Sequence, residues 1–167
     1  MTGIRPATLE DVAVVAEIHV RTWHVAYADI FPPAVLEAQS IDERAAMWTR
    51  TLEDPAFDVL VAENEAIRGF VCLGPSERVS GTGEIWAIYV DPTAWRQGVG
   101  SMLLDRAVER LAERGFADAV LETLARSTQS CGFYESHGWK AAERRTEEFR
   151  GVPEELVLYR LSGLDRR

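Results

Sequence analysis

Gly98 and Gly100 stand where an extended segment gives way to a helix, in the stretch "VDPTAWRQGVGSMLLDRAVERL" (residues 90–111). At a helix start, unpaired backbone N–H groups and the helix dipole together attract anions. Glycines lack Cβ atoms, so a phosphate can approach the backbone closely. Arg96 supplies a neighbouring cation and Ser101 an additional hydrogen-bond donor. The stretch therefore predicts a binding site for a phosphate or a diphosphate.

The same glycines do not fit the two common nucleotide-binding motifs. A P-loop continues with Gly-Lys-Ser/Thr after its spacer residues, and a dinucleotide fingerprint has a third glycine where this chain has Leu103. The spacing therefore disfavours ATP and NAD as the ligand. A tight turn without any ligand is the structural alternative that this pattern leaves open.

The surrounding sequence alternates extended runs with amphipathic helices. A Thr8 N-cap precedes helical spacing over residues 12–23, and a second helical stretch covers residues 42–52. Further helices are predicted at residues 98–114 and 130–137, and strands at residues 4–7, 57–62, 67–73, 84–90, 119–123, 140–145 and 157–161. No internal repeat or linker interrupts this order. The pattern predicts one α+β domain over residues 1–167, with a largely antiparallel sheet flanked by helices.

Composition and charge restrict the class of protein. The 167 residues are 47% hydrophobic and 27% charged, as in globular chains, and the net charge of −9 disfavours contact with nucleic acid. No apolar run has the length of a signal peptide or a transmembrane helix, so we expect no membrane association. Cys72 and Cys131 lack partners at metal-ligand spacing. They predict buried free thiols, no metal site and a cytoplasmic location.

The segment "IYVDPTAWRQGVGSMLL" resembles the coenzyme A signature of the GNAT superfamily of N-acetyltransferases, and "FYESHGW" is similar to a later segment of that family. The order of elements agrees with this family across nearly the whole chain. One departure is Trp95, which occupies a position where the family usually has Arg or Gln. The resemblance implies a GNAT fold with a sheet of about six or seven strands. It also implies an enzyme that moves the acetyl group of acetyl-CoA to a primary amine.

The resemblance further indicates which residues contact acetyl-CoA. The backbone of the hydrophobic triplet before Asp91 would pair with the pantetheine arm as an added strand does, and the glycine-rich stretch would wrap the diphosphate. Ser127 takes the place of an asparagine that contacts the cofactor in ribosomal-protein N-terminal acetyltransferases. The predicted cofactor contacts are Ile88, Tyr89, Val90, Arg96, Gln97, Gly98, Val99, Gly100, Ser101 and Ser127.

Acetyl transfer to an amine requires a base for the ammonium, whose pKa lies near 10, and an acid for the departing thiolate. Glu84 is similar in position to the general base of the histone-acetylating members, and it opens the strand that carries the triplet. Glu122 and Tyr134 resemble the base and acid of the ribosomal-protein N-terminal acetyltransferases. We expect Glu84 to be the base, with Glu122 as the alternative and Tyr134 as the acid. Salt-bridged carboxylates and a packed tyrosine are the structural alternatives.

Aromatic residues are dense in "RTWHVAYADIF" (residues 21–31). In the resembled family the region after the first helix forms a wall of the acceptor pocket, so Trp23 and Tyr27 are the expected acceptor contacts. The acceptor is a primary amine of a small molecule or a peptide, and the sequence leaves its identity open. A homodimer is suggested by the family alone. A coenzyme-A-binding sensor without turnover is the rival function.

Overall fold

Seven strands form one mixed sheet in the order β1-β2-β3-β4-β5-β7-β6. The computed structural model describes all residues, Met1–Arg167. Only β4 and β5 run parallel, and every other neighbouring pair is antiparallel. The predicted α+β class with a largely antiparallel sheet is therefore confirmed. The strands are β1 (Gly3–Pro6), β2 (Asp58–Glu63), β3 (Ile67–Pro75), β4 (Gly83–Val90), β5 (Asp118–Leu124), β6 (Lys140–Phe149) and β7 (Val152–Ser162).

Helices cover both faces of the sheet, because side chains alternate across each strand. In β3, Val71 and Leu73 belong to the core beneath α4, whereas Phe70 and Cys72 belong to the core beneath α1 and α3. The buried stripe of α4 includes Leu103, which packs against the first of these cores. The helices are α1 (Val12–Ala26), α2 (Pro33–Glu37), α3 (Ile41–Glu53), α4 (Val99–Glu113) and α5 (Thr128–Ser136).

Two parts of the chain differ from the sequence-based prediction. The short helix α2 was not predicted, because consecutive prolines such as Pro32 and Pro33 usually interrupt a helix. Pro33 instead occupies the first turn of the helix, where a missing N–H costs no hydrogen bond. The last two strands extend beyond the predicted residues 140–145 and 157–161. Nearly all of β6 is exposed, so no hydrophobic alternation marks its length.

The two parallel strands β4 and β5 separate after a short contact. They pair only where residues 83–85 meet residues 119–121. Farther along, β4 stays with β3 and β5 stays with β7. A bulge places Trp86 as an extra residue in β4 between the partners of Cys72 and Leu73, and bulges increase strand twist. The separation opens a gap in the middle of the sheet.

His19 is a buried titratable group in the core between α1, α3 and the sheet. Its Nδ1 accepts a hydrogen bond from the Trp48 indole N–H at 3.1 Å, and its ring stacks on Tyr89 with centroids 4.6 Å apart. Burial, assisted by the charge of Arg44, lowers the pKa of His19 to about 3. The imidazole is therefore neutral in the folded protein at physiological pH.

Acid should destabilise the protein through His19. The unfolded residue takes up a proton near pH 6.5 and the folded one only near pH 3. Well above pH 6.5, proton uptake by His19 therefore does not affect the unfolding free energy, which decreases as the pH falls below that value. Between pH 6.5 and 4.5 the decrease is about 2 to 3 kcal/mol. Urea unfolding of the wild type and His19→Gln, which keeps an acceptor for Trp48 but does not titrate, measures this difference. Equal acid losses in both proteins would contradict it.

Candidate functional site

The gap between β4 and β5 contains a cleft of about 790 Å³, and a smaller side pocket of about 230 Å³ adjoins it. Tyr27, Tyr89, Glu122 and Thr123 line both cavities. The cleft is lined by residues 85–90 of β4, by residues 94–96 and 98–101 leading into α4, by residues 121–123 of β5, by residues 126–130, 132–134 and 136, and by Thr22, Ala26, Tyr27, Asp29 and Ile30. The side pocket is lined by Trp23, Tyr27, Arg78, Tyr89, Glu122, Thr123, Leu124, Glu147, Phe149 and Leu156.

The start of α4 presents a row of free backbone donors. No backbone N–H from residue 96 to residue 101 makes a hydrogen bond within the chain. Arg96 and Gly98 have left-handed backbone conformations, with φ of 63° and 81°. Alternating conformations of this kind produce a concave set of N–H groups that binds anions, and the helix dipole adds to the attraction. Arg96 is exposed and forms no ion pair, so its charge is available beside this loop.

Two residues of the glycine-rich stretch contribute only backbone groups. The Gln97 side chain donates to the Thr93 carbonyl at 3.0 Å and does not line the cleft. The Val99 side chain is 3% exposed and packs in the core beneath α4. Gly98, Gly100 and Ser101 line the cleft directly. The anion site is therefore formed mainly by the backbone.

The open edge of β4 alternates between occupied and free backbone groups. The N–H of Asp91 donates to the Arg68 carbonyl of β3 at 2.8 Å, so antiparallel alternation directs the backbone of Tyr89 to β3 and that of Ile88 and Val90 to the gap. The Val90 carbonyl accepts the Trp95 indole N–H at 2.7 Å. Three backbone groups therefore remain free to bond with an extended ligand. They are the N–H and the carbonyl of Ile88 and the N–H of Val90. Tyr89 instead offers its side chain.

Glu84 does not line either cavity. It lies in residues 83–85, where β4 still pairs with β5, and it is 1% exposed. Its carboxylate accepts hydrogen bonds from Ser76 Oγ at 2.7 Å and from Arg78 Nε at 2.9 Å. The structure therefore does not bring Glu84, the expected base, to either cavity, because the strands separate only beyond this residue.

Glu122 lies where the cleft and the side pocket meet. Its carboxylate accepts two hydrogen bonds from Arg145, at 2.8 and 2.6 Å, and one from Arg78 Nη1 at 2.9 Å. Arg78 therefore connects Glu84 to Glu122. Sequence reasoning missed both arginines, because one lies in the loop before β4 and the other in the exposed strand β6. The ion pairs fix the position of Glu122 in the wall of both cavities.

Tyr134 lines the cleft from α5 and is 8% exposed. Its hydroxyl makes no hydrogen bond within the chain. Burial raises the pKa of this phenol well above its usual value, and the charges of neighbouring Tyr89 and Cys131 act in the same direction. The group is therefore a neutral proton donor across the physiological pH range.

The chain combines a gap between β4 and β5 with an anion-binding loop at the start of α4. Sequence comparison establishes the family to which it belongs. Residues 15–139 match the sequence model of the Acetyltransferase (GNAT) family. The chain belongs to this family. The resemblance noted from "IYVDPTAWRQGVGSMLL" is thereby confirmed, and so is the expectation of an N-acetyltransferase enzyme at the level of the family.

Individual relatives of this GNAT chain agree with that result. It is 31% identical over 157 residues to the uncharacterized N-acetyltransferase YuaI of Bacillus subtilis, covering 91% of this chain and 88% of YuaI. The structure of PaiA N-acetyltransferase from Thermoplasma acidophilum in complex with coenzyme A has a TM-score of 0.77 at 19% identity, covering 95% of this chain and 98% of that one. The structure of YncA from Salmonella typhimurium with acetyl-CoA also has a TM-score of 0.77, at 21% identity, covering 100% and 96%. These structures confirm the GNAT fold.

Ser101 and Ser127 have different surroundings in this GNAT chain. Ser101 Oγ lies 3.0 Å from His137 Nε2, and His137 Nδ1 lies 2.8 Å from the Phe133 carbonyl. A carbonyl only accepts, so in the neutral imidazole Nδ1 carries the hydrogen and Ser101 donates to Nε2. Ser127, which precedes α5, donates to Ser130 Oγ at 2.8 Å and lines the cleft. Each hydroxyl has a single hydrogen, which these bonds use, so both side chains offer oxygen lone pairs to a ligand.

The predicted acceptor contacts lie at the end of α1. Trp23 lines the side pocket and Tyr27 lines both cavities. The indole N–H of Trp23 donates to the Tyr89 hydroxyl at 3.1 Å. Burial raises the pKa of Tyr27 well above its usual value. The structure thus places both residues beside Glu122, on the side-pocket end of the cleft.

Neither cysteine forms a disulfide or belongs to a cluster that could hold a metal ion. Cys72 is buried and Cys131 half-buried, and both are free thiols. No cluster of three or more histidine, cysteine, aspartate or glutamate side chains has a geometry that could hold a metal ion. None of the helices combines the length and the apolar character needed to cross a bilayer.

Proposed function

We propose that this protein transfers the acetyl group of acetyl-CoA to a primary amine of a small molecule or a peptide while both substrates are bound. The observation that carries the proposal is the pair of joined cavities with Glu122 in the wall of both. One cavity ends at the free N–H groups of residues 96–101, and the other offers a separate pocket for the amine. Membership of the GNAT family and ligand-bound structures of the same fold support this assignment.

The residues present fit coenzyme A by charge and by hydrogen-bonding pattern. The backbone N–H groups of residues 96–101 and the cation of Arg96 suit a diphosphate. The free backbone groups of Ile88 and Val90 suit the amides of an extended pantetheine arm, which would add to β4 as a strand does. Acetyl-CoA supplies the activated acyl group when it is bound.

Glu122, rather than Glu84, is the residue we assign as the base. A base must reach the ammonium directly or through one water molecule, and of the two carboxylates only Glu122 lines the cavities. Tyr134 acts as the acid. The new N–C bond forms as the thioester C–S bond breaks. One ammonium proton passes to Glu122 before the attack. The departing thiolate takes the phenolic proton of Tyr134, and the second proton that the nitrogen loses restores this phenol, so that a neutral amide and free coenzyme A remain.

Two further features assist direct transfer. Free backbone N–H groups of β4 at the gap stabilise the negative charge that develops on the carbonyl oxygen. A covalent enzyme intermediate is not expected at Cys72, because burial raises the pKa of its thiol to about 12 and keeps it in the unreactive form. The Cys131 Sγ lies 3.7 Å from the Leu124 carbonyl and near the Tyr159 hydroxyl, and neither group is a base that would activate a thiol.

The test is release of free thiol from acetyl-CoA in the presence of a panel of primary amines, alongside the thermal shift caused by coenzyme A. We expect a rise in melting temperature with coenzyme A and thiol release that depends on both protein and amine. A thermal shift without turnover of any amine would identify a coenzyme-A-binding module instead. Absence of any shift would show that the cleft binds a different ligand.

Replacing Gly98 with valine should abolish the stabilisation by coenzyme A. At 100 times its Kd, a ligand that binds only the native state contributes about 2.7 kcal/mol. A Cβ at Gly98 meets no atom within 4 Å, so a branched side chain would project over the anion loop and exclude the diphosphate. The φ of +81° adds backbone strain in the variant, which requires a control with equal strain.

Gly115→Val provides that control at the other end of α4. Gly115 has a φ of +90° and also has no atom within 4 Å of a built Cβ, but it lies outside the cleft. Differential scanning fluorimetry should show lower melting temperatures for both variants and a coenzyme A shift only in Gly115→Val. A full shift in Gly98→Val would place the anion elsewhere.

A further inference from the structure

The side pocket is walled mainly by apolar and aromatic side chains. Trp23 and Phe31 stack with centroids 5.4 Å apart, and Tyr27 meets Trp23 edge-on at 4.8 Å. Phe31 also contacts Phe149, with ring centroids 5.6 Å apart, which joins the segment between α1 and α2 to the end of β6. Leu124 and Leu156 belong to the same hydrophobic cluster and complete the wall. The pocket therefore offers the acceptor a packed aromatic and aliphatic wall together with the polar side chains of Arg78, Glu122, Thr123 and Glu147.

The rings form a packed wall and do not form an open cage for cations. Phe31 covers one face of Trp23, and His19 covers one face of Tyr89. The indole N–H of Trp23 is already bonded to the Tyr89 hydroxyl. Few ring faces are therefore left for cation–π contacts, and the Trp23 indole N–H is not free to bind a ligand.

Every charged side chain in the side pocket already has a partner. Arg78 pairs with Glu84 and Glu122, and Glu147 pairs with Arg145. An acceptor carboxylate would have to displace an existing partner from a guanidinium. A second or third ammonium on the acceptor would be buried against the aromatic wall without a counter-ion, which is unfavourable. Glu122 is paired as well, but the three hydrogen bonds from Arg78 and Arg145 leave about one of its four acceptor sites free, so the pocket accommodates one ammonium beside it.

We propose that the acceptor is a monoamine with an apolar body, of the arylalkylamine or branched alkylamine class. The inference rests on the proposed function and names the substrate of the same site. The amine faces Glu122 at the junction of the two cavities, and the apolar body lies against Trp23, Phe149 and Leu156. The volume of about 230 Å³ suits a small amine better than an oligosaccharide or a long peptide.

The test compares kcat/KM for 2-phenylethylamine and isoamylamine with that for spermidine, kanamycin, free alanine and a tetrapeptide. We expect at least tenfold higher values for the two apolar amines, because even one methylene group in a hydrophobic pocket discriminates by about 10- to 200-fold. Faster turnover of any other amine in the panel would overturn the acceptor class and leave the proposed function standing. Coenzyme A binding without turnover of any amine would overturn both.

Two substitutions of the half-buried Phe149 sharpen the test. Phe149→Glu places a carboxylate in the wall, and we expect it to lower kcat/KM for 2-phenylethylamine at least tenfold relative to the spermidine value. Phe149→Leu keeps the wall apolar and should preserve the preference for the apolar amines. Coenzyme A thermal shifts, measured in both variants, verify that each is folded with an intact cleft. An unchanged preference in Phe149→Glu would show that the acceptor does not contact this wall.

Discussion

Replacing Glu122 with glutamine is expected to lower kcat/KM at neutral pH by about a hundredfold or more, the usual contribution of a general base. Glutamine has the same shape but cannot accept the ammonium proton. Activity should recover toward high pH, where the free amine is already present in solution. The measurement is a pH–rate profile with the best acceptor of the panel. A neutral-pH rate equal to that of the wild type would remove Glu122 from the mechanism.

Glu84→Gln is the matched control, because Arg78 contacts both carboxylates. Glu84 lines neither cavity, so the glutamine variant should lose stability and keep most of its activity and the normal pH profile. Arg78 keeps Glu122 as a counter-ion, so the loss should be about 1 to 3 kcal/mol of unfolding free energy, which urea unfolding detects. A collapsed profile for Glu84→Gln with a normal one for Glu122→Gln would return the base to Glu84.

Tyr134→Phe should lower kcat by roughly ten- to a thousandfold without weakening coenzyme A binding. The phenolic proton is needed only when the thiolate departs, so its loss raises the barrier and leaves the ground state unchanged. Because burial raises the pKa of Tyr134, the wild-type kcat should not decline between pH 7 and pH 10 through loss of this proton. Steady-state rates and coenzyme A titrations measure the two effects.

Tyr159→Phe controls for removal of a buried phenol. The Tyr159 hydroxyl donates to Glu135 at 2.8 Å, and the residue lies outside both cavities. Its loss should reduce stability by about 1 kcal/mol and leave kcat unchanged. Equal kcat values for the two variants would indicate that Tyr134 serves only in packing.

Local sequence patterns predicted the parts of the site that depend on backbone geometry. The glycines at the start of α4 indicated an anion site, because a helix start with free N–H groups is a local property. For Trp23 and Tyr27, it was the resemblance to the GNAT family, together with the dense aromatic residues at the end of the first helix, that predicted a contact with the acceptor. The structure places both in the wall of the side pocket.

Long-range geometry accounts for what the sequence did not predict. The choice between Glu84 and Glu122 depends on the residue at which β4 and β5 separate, and no local pattern encodes that point. Arg78 and Arg145 are distant from Glu122 along the chain and meet it only in the folded sheet. Trp95 departs from the family pattern, and its contact with the Val90 carbonyl became visible only in three dimensions.

A single-turnover experiment tests direct acetyl transfer most directly. Protein in excess over acetyl-CoA is mixed with 2-phenylethylamine or, if another amine proves better, with that amine, and samples are quenched for mass spectrometry. The account predicts equal rates for thiol release and for formation of the N-acetylated amine, with no acetylated protein at any time. Accumulation of acetylated protein before the product, or thiol release without N-acetylated amine, would contradict direct transfer between two bound substrates.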